Sequence, residues 1–81
     1  MNERKERDKI VLKEDLEEHG LEAGDVGTVV MVHGNGEGFE VEFVALNGET
    51  IAVATLDASQ IRPIVKREIA HVRQLSDTSP T

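Results

Sequence analysis

The stretch GLEAGDVGTVVMVHGNGEGFEVEF, Gly20 to Phe43, holds six of the chain's seven glycines and both of its phenylalanines. Glycines this closely spaced punctuate a chain, because they weaken helices and allow turns of either hand. Between them, Phe39–Val44 alternates cleanly, with Phe39, Val41 and Phe43 on one face and Glu40 and Glu42 on the other. That is the period of a half-buried strand. Val26–His33 is nearly continuous valine, rich in β-formers and too short for a helix of its own. A strand, the turn cluster Gly34–Gly38 and a second strand make a hairpin, which is only marginally stable alone. The rest of the chain must therefore extend it.

The flanking segments supply what is needed. Lys9–Glu14 (KIVLKE) reads as a first strand, and Asp15–Asp25 as a long loop with no sustained period. Leu46–Glu49 contains Asn47-Gly48, the strongest short hairpin signal, in which both turn positions are expected at positive φ. Thr50–Leu56 returns as a fourth strand, Asp57–Ile61 reads as one helical turn capped by Asp57, and Arg62–Ile64 as a short last strand. Pro63 confines that last strand to an edge. This order is that of a mainly β, small five-stranded SH3-like barrel over residues 9–64. The expected interior is Val11 or its neighbours, Leu21, Val26, Val30, Phe39, Val41, Phe43, Ile51, Val53, Leu56 and Ile61. Beyond the barrel, Val65, Ile69, Val72 and Leu75 recur three or four apart, which predicts a C-terminal amphipathic helix over residues 65–75. That helix is expected to pack on its own barrel or on a second copy of the chain. Residues 1–8 read as a charged N-terminal arm and 76–81 as a flexible tail.

Size and charge narrow the function classes. A chain of 81 residues makes one domain and buries about 60–65% of its unfolded surface, enough for one small core. There is no cysteine, which excludes a disulfide framework and a thiolate zinc site. The charged start MNERKERDK is followed by no long apolar run, so a cytoplasmic, bacterial-type soluble protein is expected. The formal charge of −7 is unevenly spread. Residues 8–65 carry twelve carboxylates against Lys9, Lys13 and Arg62, whereas each end has three basic residues against two acidic ones. Such an acidic body repels phosphate backbones and favours basic partners.

The segments DLEEHGLEAGDVGTVV, EVEF, LNGET and LDASQIRPI, within Ile10–Ile64, resemble a bacterial family known as domain of unknown function 4926. The resemblance implies a compact SH3-like fold and carries no established activity, hence no functional residues. More distantly, the G-D-x-G-x-V signature at Gly24–Val29 is similar to one in KOW domains and in the nitrile hydratase β-subunit barrel.

A phosphate cradle needs glycines between a strand and a helix N-terminus; here Gly24 and Gly27 precede a strand, and Gly34, Gly36 and Gly38 join two strands. No lysine follows to balance phosphate charge. His19, His33 and His71 fit no short metal-ligand spacing, so neither a metal nor a cofactor is expected. With no cysteine, no nucleophile elbow and carboxylates on exposed positions, the chain is expected not to be an enzyme. Single-strand binding needs a basic groove and stacking aromatics, and Phe39 and Phe43 share a core face with Val41. Proline-rich peptide binding needs an aromatic groove, which a chain without Trp or Tyr cannot build.

Protein–protein interaction survives this sorting. In one form, Glu14, Asp15, Glu17, Glu18 and Glu22 meet a basic partner, as in accessory, immunity or antitoxin-like proteins where complementary charge speeds association. In another, Val65, Ile69, Val72 and Leu75 form the contact of a homo-oligomeric structural subunit. A KOW-like RNA- or ribosome-associated module is the alternative from a different class. The competing reading of the acidic loop is a solvated face that confers solubility.

Overall fold

The computed structural model describes residues 6–75; residues 1–5 of the expected arm and the expected tail 76–81 lie outside them. Five antiparallel strands run β1 (Lys9–Leu12), β2 (Val26–His33), β3 (Gly38–Val44), β4 (Thr50–Leu56) and β5 (Ile61–Pro63), with short 3-10 turns at Glu17–His19 and Ala58–Gln60. They form one sheet in the order β4-β3-β2-β1-β5. The strand positions agree with the sequence reading to within two residues. The sheet is not closed into a barrel: β4 and β5 are its two edges, with no ladder between them. Four interstrand spacings would separate flat edges by about 19 Å, more than a connection of Asp57–Gln60 containing a 3-10 turn can reach. The sheet is therefore curled, with its edges brought towards one another.

Two bulges help it curl and also set which residues face inward. Opposite β3, Val29 pairs with Val41 and Met31 with Glu40, so Val30 is the extra residue. Opposite β4, Phe43 pairs with Ala52 and Val44 with Thr50, so Ile51 is extra. A bulge bends its strand and shifts the alternation by one. The core is accordingly Ile10, Leu12, Leu21, Val29, Phe39, Val41, Phe43, Ala54, Leu56 and Ile61, with Leu16, Val32, Ile51 and Ala52 packed against it. Three expected core residues are corrected by this register. Val26, Val30 and Val53 are 48%, 43% and 51% exposed, because Gly27 and Val29 face inward on β2, and Ala52, Ala54 and Leu56 on β4.

Gly27 is the one glycine set by close approach. A Cβ there would lie 2.5 Å from Val41 Cγ1 and 2.8 Å from Phe43 Cε1. Only Gly48 of the Asn47-Gly48 pair has positive φ, and the Ala45 amide donates to the Glu49 carbonyl across Leu46–Gly48. The hairpin thus uses a three-residue loop with one left-handed position in place of a two-residue turn. The capped turn after β4 is formed as expected: the Ser59 amide donates to Asp57, and the Asp57 amide to the Gln60 side chain.

The expected C-terminal helix is absent. From Ile64 to Leu75 the chain has no regular structure, Arg67 takes a left-handed φ of 66°, and Ile69 and Val72 are 92% and 71% exposed. The physical reason is that a helix of eleven residues is marginal unless its apolar stripe is buried, and three of its four stripe residues are β-branched. With no surface covering that stripe, polar contacts decide the path. Glu68 accepts from both terminal guanidinium nitrogens of Arg62 (3.0 and 2.6 Å) and from the Val65 amide (2.8 Å), which closes a turn at the start of this irregular segment, residues 64–75, the strap.

Candidate functional site

The acidic loop between β1 and β2 is ordered from inside. Leu21 is 4% exposed and anchors it in the core, while the Leu16 and Leu21 amides donate to one another's carbonyls at 2.9 and 3.1 Å. Gly20, at φ 71°, ends the 3-10 turn in a left-handed conformation that suits glycine. The base of the loop is stitched to β1, with the Leu12 amide donating to the Asp25 carbonyl and the Gly24 amide to the Leu12 carbonyl. Apolar side chains point in, so the carboxylates are left outside.

All five carboxylates singled out from the sequence are exposed on this loop, but they do not form one free surface. Glu14 accepts from Gln60 Nε2 (2.9 Å), tying the loop to the turn before β5. Asp15 accepts the Ala23 amide at 2.9 Å. Glu22 lies 3.6 Å from Arg73. Glu18 lies 3.7 Å from His19, and Glu17 carries the remaining outward carboxylate of the 3-10 turn. Glu17 and Glu18 therefore form the outward tip, whereas Glu14 and Asp15 brace the loop.

Two residues outside that set organise the site. The Arg73 guanidinium donates from Nε to Asp25 Oδ1 (2.9 Å) and from Nη2 to Asp25 Oδ2 (2.6 Å), a two-pronged charge-assisted pairing. Nη2 also donates to the Gly20 carbonyl at 3.2 Å. Asp25 Oδ2 accepts the Glu22 amide at 2.8 Å, so this carboxylate also fixes the loop's backbone. Burial pushes the Asp25 carboxyl up, but the Arg73 hydrogen bonds, the Glu22 amide and the Arg73 charge outweigh it and leave the group below its ordinary value. Arg73 is raised in turn, chiefly by the same hydrogen bonds. A sequence reading has little access to this pair: Asp25 looks like turn punctuation, and Arg73 like the polar face of a helix.

Elsewhere, Glu40 on β3 accepts from Thr55 Oγ1 (2.9 Å) and lies 2.8 Å from His33 Nε2; the His33 contact first, then Thr55, hold its carboxyl below the usual range. Among the described residues no group of three or more His, Asp or Glu side chains is placed to hold a metal ion. Phe39 and Phe43 are each 2% exposed, so neither offers a face for stacking a base. Among the described residues no helix is long and apolar enough to cross a membrane. Val65, Ile69 and Val72 are exposed and Leu75 half-buried, on the strap that carries Arg73 rather than on one helical face.

A family model described as "Domain of unknown function (DUF4926)" matches residues 6–63, which takes in the acidic loop and every strand and stops before the strap. No curated protein and no solved structure matches the chain.

Proposed function

The chain belongs to the family of domain of unknown function 4926, and from that premise we propose that it is a non-enzymatic protein-binding module whose acidic loop engages a basic protein. An accessory, immunity-like or antitoxin-like role is the form this takes. The observation that carries the reading is the loop itself: carboxylates displayed outward from a backbone fixed by Leu21, Gly20 and Asp25. A loop ordered before binding loses less conformational entropy on association, and like charges held at its tip steer a basic partner towards it. A solubility-giving face needs charge but no such bracing.

The test is charge reversal at the tip, where the side chains do not hold the fold. Wild type and the Glu17→Lys/Glu18→Lys variant are immobilised and challenged with native lysate. A stoichiometric basic protein retained by wild type and lost from the variant supports the reading; identical retention by both defeats it. A homo-oligomeric reading draws on the exposure of Ile69 and Val72. Light scattering on wild type and on Ile69→Ser/Val72→Ser decides that one, since a monomer in both removes it.

A further inference from the structure

The strap lies beside the acidic loop and brings Arg73 within 3.6 Å of Glu22, one of the carboxylates that the acidic-loop reading assigns to a partner. From Pro63 it turns on the Arg62–Glu68 pair, then runs without regular structure until Arg73 reaches Asp25, Gly20 and Glu22. Most of its residues are exposed, and no apolar residue of the strap belongs to the core cluster. A segment so placed is held by polar groups at its two ends rather than by packing. Exposed or half-exposed ion pairs of this kind are individually weak. The loop, by contrast, is anchored by Leu21 and its own backbone bonds, and does not need the strap for its shape.

We infer that the strap is a detachable clasp: Arg73 occupies in cis the guanidinium position that an arginine of the basic partner takes when it binds. This rests on the acidic-loop reading and adds to it the side-chain chemistry of the ligand and a built-in competitor. Asp25 presents two oxygens to a fork of two N–H groups, with the Gly20 carbonyl beside them; that geometry suits a planar guanidinium better than an ammonium point charge. Because a binding-competent state that is only fractionally populated weakens apparent affinity by that fraction, opening the clasp strengthens partner binding.

The experiment uses full-length wild type and full-length Arg73→Gln, with a synthetic peptide of the sequence of residues 65–75 as probe. Control peptides carry Arg73→Gln or Arg73→Lys. Heteronuclear NOEs of the Val65–Leu75 amides report the clasp, and shifts of the Gly20, Glu22 and Asp25 amides report the probe. The expected result is loss of order in the half of the strap that carries Arg73, residues 69–75, in the Arg73→Gln protein, with the turn held by Arg62 and Glu68 kept. The probe should also bind that protein on the order of tenfold more tightly than wild type, and both control peptides should bind more weakly than the probe. Unchanged strap order overturns the clasp whatever the loop binds. A released strap with equal probe affinity for both proteins overturns the competition while the acidic-loop reading stands. Equal binding of the lysine and arginine peptides overturns the guanidinium assignment, and binding of the probe to neither protein overturns the competition; the acidic-loop reading falls separately, by equal lysate retention on wild type and Glu17→Lys/Glu18→Lys.

Discussion

The sheet and the strap are held by opposite kinds of force. In the sheet, Ile10, Val29 and Val41 are fully buried, and cohesion comes from apolar surface removed from water along with ladder hydrogen bonds. In the strap, order comes from Glu68 on Arg62 and Arg73 on Asp25, all with charged atoms near solvent. The first force is insensitive to salt and mild acid, and the second is not. The body is therefore expected to stay folded under conditions in which the C-terminal segment lets go. The acidic loop belongs to both regions, since Leu21 ties it to the body and Asp25 to the strap.

The largest effects are expected in the body. Phe43→Ala removes a core ring that is 2% exposed and should lower unfolding free energy by about 3–5 kcal/mol, read by urea denaturation. A loss no larger than that of Arg73→Gln would break the contrast. Gly27→Ala inserts a methyl against Val41 and Phe43 and should cost about 1–3 kcal/mol through overpacking. An unchanged denaturation midpoint would mean that β2 does not press on β3 as described. Asp57→Ala removes the acceptor for the Ser59 amide in the turn that carries the chain from one sheet edge to the other. It should cost about 1 kcal/mol in the same measurement, and no change there would show that the capped turn contributes nothing to holding the edges together.

The fold was largely legible because the sequence repeats its message at several levels. Phe39–Val44 alternates since β3 buries one face and wets the other, and Asp57–Gln60 carries both halves of a capping box. Val26–His33 was legible as a strand and not in its phase, because an almost unbroken run of valine looks alike in either register and the bulge at Val30 leaves no trace in residue type. The same holds for Ile51 and Val53 on β4. The helix expected at Val65–Leu75 fails for a different reason: periodicity states what a helix would bury, not whether a surface exists to bury it. At the site, the exposed carboxylates were legible from charge, but their division into braces and tip was not. That division depends on Gln60 reaching Glu14 across 46 residues, a contact no local pattern encodes, and the Arg73–Asp25 pair spans 48 residues in the same way.

The smallest effect, and the sharpest on the contrast, is the response of the strap to acid. Glu68 has its carboxyl pulled down to about 2 by the Arg62 hydrogen bonds and the Val65 amide, and Asp25 is also lowered. A carboxyl whose folded value lies below its free value stabilises the ordered state above the free value and loses that contribution as pH falls through the folded one. Strap order should therefore be complete at neutral pH, begin to decline below the ordinary carboxylate value of 4.5 and be gone below about 2. Amide NOEs of Val65–Leu75 should follow this course while the shifts of core residues such as Val29 and Val41 stay in place. Arg73→Gln should abolish the Asp25 part of the decline and leave the Glu68 part, because the two ion pairs share no group. Simultaneous loss of strap and core signals would mean that the strap is part of the cooperative fold, and the division between a packed body and an ionic clasp would fall.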